Sequence, residues 1–434
     1  MKGEKKRSPL FIQGVLLDEQ KVDILIEDSR IAGIDAKLEM PASALLIDGR
    51  GKAVFPTFVN MHTHAAMTLF RGFGDDHPLQ EWLQEWIWPN EKNLTEEIIY
   101  WGTRLACLEM IKSGTTAFAD MYFHLPAAAK AVEESGIRAL LGYTVFDFGD
   151  PATAAKVKDE VAEWHCRISK ETGSGRVCYG LAPHAPYTVS DKTLSWLADY
   201  AAENGLKYHI HMSETESEVE NSIAQHGKRP YEHLHDLGIL QKTGDRFIGA
   251  HSLHLTEEEA EMVGRNRCNV VHNPNSNLKL GSGFKFLYQE LSQAGCNVSL
   301  GTDGCSSSNN LDMLEATKTM ALLQKGWRGD PTTMPAREAL EVASRNGYRA
   351  LGLDGGQLRA GALADLMLVD INNVAFLPHN DNTLSNLIYA AHSDAIDTVI
   401  CNGRIVMEGR RVADEDEIMK NADKMVGELI KHRP

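Results

Sequence analysis

The chain has 434 residues, and 44 Lys and Arg side chains against 60 Asp and Glu give it a formal net charge of −16. This acidic balance argues against a nucleic-acid or anionic-membrane partner, because both require an accessible positive surface. No run of about 18 apolar residues occurs, so we expect no membrane span. The seven cysteines are scattered and form no Cys-x-x-Cys pair, which predicts reduced thiols in a cytoplasmic protein.

The N-terminal part reads as short strands joined by turns, with alternating apolar residues and little helical periodicity. The predicted strands are Leu10–Leu17, Val22–Glu27, Arg30–Ile34 and Ala44–Asp48. This strand-rich, helix-poor segment predicts part of a small β-domain.

The middle of the chain alternates short apolar runs with helical segments. The predicted strands are Val54–Met61, Thr115–Met121, Ala139–Val145, Val177–Ala182, Leu206–His211, Phe247–His251, Asn269–His272 and Asn297–Gly301. The predicted helices are Glu96–Lys112, Ala127–Ser135, Ala152–Glu171, Asp191–Asn204, Glu216–Leu237, Glu257–Asn266, Phe284–Ala294 and Leu311–Gln324. Eight such units predict an α/β fold, a (β/α)₈ TIM barrel over residues 56–364. A doubly wound open sheet is the rival, but no GxGxxG motif follows the first strand.

Strand character returns after Ala364. The predicted strands are Leu366–Val369, Thr398–Cys401 and Arg404–Met407, and Asn402-Gly403 between the last two is the strongest short signal for a hairpin. An amphipathic helix is predicted over Glu415–Lys431. We therefore expect residues 1–55 and 365–434 to form one small composite β-sandwich domain beside the barrel.

Polar side chains collect at the predicted ends of the barrel strands. The first strand leads into His62-Thr63-His64, and side chains two apart on a strand point to the same face, so both histidines should face the barrel mouth. The fifth, sixth and eighth strands end at or lead into further such residues: His211 with Glu214, His251, and Asp303. Catalytic groups of barrel enzymes lie at these ends.

Three histidines and one carboxylate from strands one, five and eight would form a divalent-metal site with an open position for water. The fourth strand is followed by His184 and not by a lysine. A lysine there could form a carbamate that bridges two metal ions, so we expect one metal ion per subunit. Zn²⁺ suits this ligand set best, and Fe²⁺, Mn²⁺ and Ni²⁺ are chemically feasible. His209 lies two residues before His211, so its side chain should point to the same face of the strand. Because His211 lies at the end of the strand, we expect His211 to be the ligand and His209 to lie in a lower layer of the barrel.

In order and spacing these residues resemble the amidohydrolase superfamily over essentially the whole chain, including the flanking β-domain. Finer motifs are similar to those of its methylthioadenosine/S-adenosylhomocysteine deaminase branch, which chlorohydrolases and guanine-type deaminases also resemble. These motifs are Phe58–Met67, Trp88-Pro89-Asn90-Glu91, Pro183–Tyr187, His211–Thr215 and Asn275–Leu280. Thr57 stands where the family usually has glycine, a turn detail that affects no catalytic position.

The resemblance implies which residues form the site. It assigns metal ligation to His62, His64, His211 and Asp303, and it adds Glu91 and His184 as substrate-binding residues beside His211, Glu214 and Asp303. It also implies a homo-oligomer, a dimer or a tetramer, acting on a small-molecule nucleoside.

The chemistry of the residues agrees with these roles. C6 of adenine is a poor electrophile until the ring nitrogen is protonated, and Glu214 is expected to move a proton from water to that nitrogen, as a non-ligand Glu does in zinc base deaminases of another fold. Asp303 is expected to ligate the metal and accept a proton during attack, and His251 to hold the attacking oxygen. Glu91 offers acceptors for two ribose hydroxyls.

The leading hypothesis is a metal-dependent aminohydrolase that converts an adenosine-type nucleoside to its inosine-type product and ammonia. Methylthioadenosine, S-adenosylhomocysteine, 5′-deoxyadenosine and adenosine are the candidate substrates. The alternatives are a guanine- or cytosine-type free-base deaminase, a triazine chlorohydrolase, or an inactive scaffold of the same fold. Glu91 favours a nucleoside, and the complete ligand set with Glu214 argues against a scaffold. The 5′ substituent and the residues that would bind an amino-acid tail stay open.

Two smaller groups of residues have a simpler interpretation. Trp82, Trp86 and Trp88 follow the first barrel strand, and we expect core packing, with the lining of a purine pocket as the alternative. His226, His233 and His235 lie in a polar helical stretch and are expected to be solvated.

Overall fold

A computed structural model describes residues 7–434, apart from the side chains of Ser169 and Glu171; residues 1–6 of the predicted composite domain lie outside this part of the chain. The strands up to the barrel are β1 to β5, at Leu10–Leu17, Gln20–Glu27, Arg30–Asp35, Leu45–Asp48 and Lys52–Pro56. The barrel strands are β6 to β13, at Phe58–Thr63, Thr115–Tyr122, Arg138–Val145, Val177–Pro183, Lys207–Met212, Phe247–His251, Asn269–His272 and Asn297–Leu300. The last strands are β14 to β16, at Leu366–Asp370, Ile396–Cys401 and Arg404–Met407.

These strands form two sheets. Strands β6 to β13 lie in sequence order and pair in parallel, which confirms the predicted (β/α)₈ barrel. The other eight strands form one mixed sheet in the order β16-β15-β14-β5-β1-β2-β3, with β4 paired to β1. Strands from the two ends of the chain thus meet in this sheet, where β14 pairs antiparallel with β5.

Helices and helical turns fill the connections. The α-helices up to the fourth barrel strand are Leu79–Glu81, Trp88–Glu91, Glu96–Lys112, Leu125–Ser135 and Pro151–Glu171. Those from there to the eighth strand are Asp191–Asn204, Glu216–His226, Pro230–Asp236, Ile239–Thr243, Glu257–Arg265, Pro274–Lys279 and Tyr288–Gln293. The remaining ones are Cys305–Ser308, Met313–Arg328, Ala336–Ala343, Arg345–Leu351, Thr383–Tyr389 and Glu415–Leu429. A π-helix covers Trp82–Ile87, and short 3₁₀ turns cover Ala65–Phe70, Gly244–Arg246, Val374–Phe376 and Ser393–Ala395. Each helix among residues 7–434 is too short or too polar to cross a bilayer.

Local chemistry sets where the helices begin and end. Several begin at a residue whose side chain accepts a backbone N–H of the first turn, which satisfies a donor that the helix leaves free: Thr95, Asp150, Thr215, Thr256 and Asp312. Several end at a glycine in the left-handed conformation: Gly136, Gly205, Gly227, Gly329 and Gly352.

Two predicted elements are each divided in two, and the helix predicted over Phe284–Ala294 covers only Tyr288–Gln293. The run Val54–Met61 is not one strand, because the chain passes from the mixed sheet to the barrel at Pro56-Thr57, and Thr57 is buried with its hydroxyl 2.6 Å from Thr116 Oγ1. The helix predicted over Glu216–Leu237 is two helices, because Gly227 ends the first one and Pro230 begins the second.

The barrel closes between its last and first strands at the mouth. The backbone N–H of Asp303 donates to the carbonyl oxygen of His62 at 2.9 Å, and the Asn60 side chain bonds the backbone N–H and the hydroxyl of Thr302 at 3.1 and 2.7 Å. Gly301 allows this approach, since a Cβ there would lie 2.9 Å from the backbone of His62.

A buried ion pair joins the barrel to the mixed sheet. Arg138 at the start of β8 donates through Nε to Oδ2 of Asp365 at 2.7 Å, and both side chains are buried. The same guanidinium reaches Oδ1 of Asn402 at 2.9 Å, and the hydroxyl of Tyr348 donates to Asp365 at 2.9 Å. The two sheets are therefore held together by a hydrogen-bonded charge pair as well as by apolar packing.

Candidate active site

A cavity opens at the carboxyl ends of the barrel strands, where barrel enzymes hold their catalytic groups. Its wall is formed by side chains from the strand ends and from the segment after β6. The polar residues that line it are His64, Glu91, Thr144, His184, His211, Glu214, His251, Asp303, Ser306 and Ser307, and they include seven of the eight residues predicted for the site. The eighth, His62, lies in the cavity floor beneath them and is completely buried.

The four side chains predicted to hold a metal converge at the floor of this cavity. Nε2 of His62 and Nε2 of His64 lie 3.3 and 3.2 Å from Oδ1 of Asp303. The ring of His211 packs at right angles to that of His62, with centroids 4.9 Å apart. Ligand atoms of His62, His64 and Asp303 lie within 4.8 Å of one another, as do those of His62, His211 and His251.

Hydrogen bonds orient the imidazoles. Nδ1 of His64 donates to the carbonyl oxygen of Met121 and Nδ1 of His211 to that of His184, both at 2.7 Å. A carbonyl oxygen only accepts, so Nδ1 of each ring carries a proton and Nε2 points to the centre, where its lone pair can bind a cation when the ring is neutral.

His62 is held by His209, the histidine that the sequence places in a lower barrel layer. Nδ1 of His62 lies 3.0 Å from Nε2 of His209, while Nε2 of His62 is buried without a hydrogen-bond partner. A buried nitrogen without a partner is costly unless something binds it. This unpaired nitrogen, the two oriented rings and a carboxylate oxygen fit a divalent cation of the zinc type.

Asp303 is ionised at this centre. Burial raises its pKa, but the neighbouring imidazoles of His62 and His64 outweigh burial and hold the pKa well below its ordinary value. Its other oxygen, Oδ2, accepts from the hydroxyls of Ser276 and Ser307, each at 2.7 Å. These two serines leave Oδ1 to face the imidazoles.

Glu214 faces the same space from the loop after β10. Burial raises its pKa well above the ordinary value, and the charges of Asp303 and Glu218 raise it further. Glu218 fixes this loop, because its carboxylate accepts the backbone N–H groups of Ser213 and Glu214 at 2.8 Å each. A carboxyl group with a raised pKa and a fixed position suits the transfer of protons.

His251 is oriented by an amide. Nδ2 of Asn277 lies 3.0 Å from Nδ1 of His251, and an amide nitrogen only donates, so Nδ1 accepts and the ring proton is on Nε2. Burial lowers the pKa of His251 to about 3, which keeps the ring neutral. Nε2 lies 3.8 Å from Oε2 of Glu214. In this arrangement His251 presents an N–H donor to the cavity.

Glu91 lines the cavity from the end of the helix Trp88–Glu91. Its Oε1 accepts from the hydroxyl of Tyr122 at 2.7 Å. Burial raises the pKa of Glu91, and the hydrogen bond from Tyr122 lowers it. Trp82 and Trp88 line the cavity and also belong to or pack against the hydrophobic core, whereas Trp86 packs edge-on against Phe73.

His184 lines the cavity next to His211, with ring centroids 4.7 Å apart. Its Nδ1 is 3.0 Å from the hydroxyl of Thr188, and its ring stacks on Phe146 with centroids 4.5 Å apart. Burial, together with the nearby His64 and His62, lowers its pKa to about 3. A neutral, stacked imidazole at this position is suited to contact a planar ring.

Sequence reasoning missed most of the residues that orient these groups. Ser276 and Asn277 lie in one of the motifs that carry the family resemblance, but nothing in the sequence indicated their contacts, and Tyr122 and Glu218 carried no recognisable signal. Asp120, buried at the end of β7, accepts the backbone N–H of Ala65 at 2.8 Å, and burial raises its pKa to about 6.

A second histidine pair lies outside the cavity and corrects one expectation. His233 is buried and not solvated: Nε2 pairs with Oδ1 of Asp191 at 2.8 Å, and its ring stacks on His226 with centroids 3.8 Å apart. This contact joins three helices on the outer face of the barrel.

The chain is similar to proteins of known name over nearly its full length. The profile of the amidohydrolase family matches residues 53–406. A 5′-deoxyadenosine deaminase of Methanoregula boonei is 44% identical over 416 residues, which cover 94% of this chain and 92% of that protein. A 5-methylthioadenosine/S-adenosylhomocysteine deaminase of Pelotomaculum thermopropionicum is 46% identical over 391 residues, 88% of each chain.

Solved structures agree with this similarity. A crystal structure of an adenosine deaminase from Xanthomonas campestris with bound zinc superposes with a TM-score of 0.89 at 33% identity, over 98% of this chain and 99% of that one. An atrazine chlorohydrolase from Arthrobacter aurescens complexed with zinc has a TM-score of 0.86 at 23% identity, over 96% of this chain and 100% of that one. The second similarity supports the fold alone.

Proposed function

Because the chain belongs to the amidohydrolase family, we propose that it is a metal-dependent aminohydrolase that deaminates adenosine-type nucleosides. The reaction replaces the 6-amino group of the purine by a carbonyl oxygen from water and releases ammonia. The relatives named above are 5′-deoxyadenosine and methylthioadenosine/S-adenosylhomocysteine deaminases, so 5′-deoxyadenosine, methylthioadenosine, S-adenosylhomocysteine and adenosine are the proposed substrates.

One observation carries this proposal. A single cavity is lined by the convergent histidine and aspartate cluster, by Glu214 and by the partly buried carboxyl group of Glu91. The cluster with Glu214 suits attack of water at a purine carbon, and Glu91 suits a ribose. A free base would leave Glu91 without a partner beyond Tyr122.

His62, His64, His211 and Asp303 are the proposed ligands of one divalent cation per chain, with zinc as the first candidate. When bound, such a cation supplies a nucleophilic water at neutral pH, because it lowers the pKa of water from about 15.7 toward about 7. The same cation would neutralise the Asp303 carboxylate that the imidazoles now contact.

Glu214 moves the first proton. Its carboxylate accepts a proton from the attacking water and delivers it to N1 of the purine, which makes C6 electrophilic. The environment that raises the pKa of Glu214 favours the protonated form needed for the delivery.

Asp303 and His251 complete the transfer. Asp303 accepts the second proton of the water, and this proton reaches the 6-amino group, which leaves as ammonia. The N–H at Nε2 of His251 donates to the oxygen on the tetrahedral C6, where negative charge develops. One proton ends on N1 and one on ammonia, so the inosine-type product is neutral.

Glu91 and His184 select the nucleoside. The carboxylate of Glu91 has acceptor capacity left beyond Tyr122 and accepts from the 2′ and 3′ hydroxyls. His184, neutral and stacked on Phe146, contacts the purine.

The direct test incubates the zinc-loaded protein with each of the four nucleosides. Release of one ammonia per nucleoside, with the inosine-type product identified by mass spectrometry, is the expected result. Ammonia release from none of the four would overturn the proposal.

A further inference from the structure

Asn90 lies directly behind the wall that carries Glu91, and its side chain uses all of its hydrogen-bonding capacity. Nδ2 donates to the carbonyl oxygens of Trp86 and His432 at 2.8 and 2.9 Å. Oδ1 accepts the backbone N–H groups of Lys431 and His432 at 2.9 and 2.8 Å. The residue is completely buried, so water cannot replace these partners.

The C-terminal segment is tied to the same wall at two further points. The side chain of Asn93 donates to the carbonyl oxygen of Leu429 at 3.0 Å. The guanidinium of Arg433 lies over the ring of Phe73 at 5.5 Å, and that ring packs edge-on against Trp86. Residues 429–433 thus lie against the outer side of the segment whose inner side lines the cavity.

This wall needs support from outside itself. The helix Trp88–Glu91 has four residues and follows a six-residue π-helix. An isolated helix of this length is unstable in water, because so few hydrogen bonds do not repay the ordering of the backbone. The position of Glu91 therefore depends on what the helix packs against.

We propose that Asn90 is a positioning residue for the reaction: by binding the backbone of Lys431 and His432, it holds Glu91 where the ribose hydroxyls are bound. The inference rests on the proposed role of Glu91 in nucleoside binding. The C-terminal segment thereby contributes to substrate selection although it does not line the cavity.

The sharpest test removes one hydrogen bond from the segment and leaves Asn90 in place. Lys431→Pro lacks the N–H that Oδ1 of Asn90 accepts, and Lys431→Ala is the matched control because it keeps that N–H. Ile430 is extended, with φ −88° and ψ 93°, and the residue before a proline favours the extended region over the helical one. Asn90→Asp is the second variant, since it keeps the shape and loses both donors.

The readout compares adenosine with 2′,3′-dideoxyadenosine, which lacks the hydroxyls that Glu91 is proposed to bind. Lys431→Pro should lower kcat/KM for adenosine by about threefold to tenfold, the range expected for one hydrogen bond, mainly through KM. The dideoxy substrate should change by less than about twofold. Lys431→Ala should match the wild type, and Asn90→Asp should lose at least as much as Lys431→Pro.

A Glu91→Gln variant separates the two proposals. If Glu91→Gln does not lower the preference for adenosine, the proposed role of Glu91 fails. If it does, but Lys431→Pro and Asn90→Asp lower both substrates equally or neither, only the inference about Asn90 fails. In the double variant Asn90→Asp/Glu91→Gln, the preference should fall no further than in Glu91→Gln alone, because residues that act through one contact are not additive.

Discussion

The backbone N–H of Asp303 donates to the carbonyl oxygen of His62 at 2.9 Å, so the last barrel strand meets the first between two of the proposed metal ligands. Asp303 has a positive φ of 62°, an uncommon conformation for a residue other than glycine. The bond that closes the barrel and the serines on Oδ2 hold the carboxylate in that conformation. The hydrogen bond that closes the barrel therefore also positions one of the proposed metal ligands.

Metal removal should abolish activity and lower the melting temperature. A cation that binds the folded state alone stabilises it by mass action, by about 2.7 kcal/mol at a hundredfold excess over Kd. The metal is first removed with a chelator, and the chelator is removed by dialysis. Titration with Zn²⁺ should then restore full activity at one equivalent per chain. A requirement for two equivalents would contradict the mononuclear site.

Glu214→Gln should retain the metal and lose the reaction. Glutamine keeps the shape but cannot accept a proton, and general acid–base groups contribute about 10²- to 10⁴-fold. Metal analysis and kcat measured on the same preparation check this outcome. Glu216→Gln, an exposed residue two positions away, is the control and should match the wild type; loss of metal in Glu214→Gln would show that Glu214 is a ligand.

Tyr122→Phe should shift the pH dependence of nucleoside binding. The hydroxyl of Tyr122 lowers the pKa of Glu91, against the burial that raises it. Without the hydroxyl the pKa of Glu91 rises, so protonation begins at a higher pH and removes an acceptor for ribose. KM for adenosine should rise as pH falls, and in the variant this rise should begin at a higher pH. The dideoxy substrate has no hydroxyls for Glu91 to bind, so its KM should lack this shift; an equal shift for both substrates would refute the assignment.

Arg138→Leu should strongly destabilise the fold. It leaves the carboxylate of Asp365 buried without its partner, which costs about 3–5 kcal/mol when one member of a buried pair is removed. Urea unfolding measures the free energy directly. Arg337→Leu, which breaks the exposed pair with Asp18, is the control and should cost less than about 1 kcal/mol; equal effects of the two variants would contradict the role of Arg138–Asp365.

The main features of the barrel and its centre could be predicted because they follow from short-range rules. Alternation of strands and helices indicated the parallel barrel, and the two-residue spacing of His62 and His64 put both on one face. The carboxyl ends of parallel strands meet at one edge, so Glu214 and Asp303 could be expected beside them.

The rest depended on contacts that spacing does not encode. The orientation of His62 depends on His209, which by its position on the strand could equally have been a ligand. The orientation of His251 depends on Asn277, which lies in a different loop. The passage from one sheet to the other at Pro56-Thr57 could not be predicted, because the sequence there is one continuous apolar run. His233 is buried because Asp191, 42 positions away in sequence, pairs with it.

The most direct test of the central claim is the kcat/KM of the zinc-loaded protein for 5′-deoxyadenosine, methylthioadenosine, S-adenosylhomocysteine and adenosine against adenine, guanine, cytosine and a chlorinated triazine. Ammonia release reports the amines, and chloride release reports the triazine. One of the nucleosides should give the highest value, with adenine well below it, because adenine leaves Glu91 without its ribose partners. A highest value for adenine, guanine, cytosine or the triazine would contradict the nucleoside assignment.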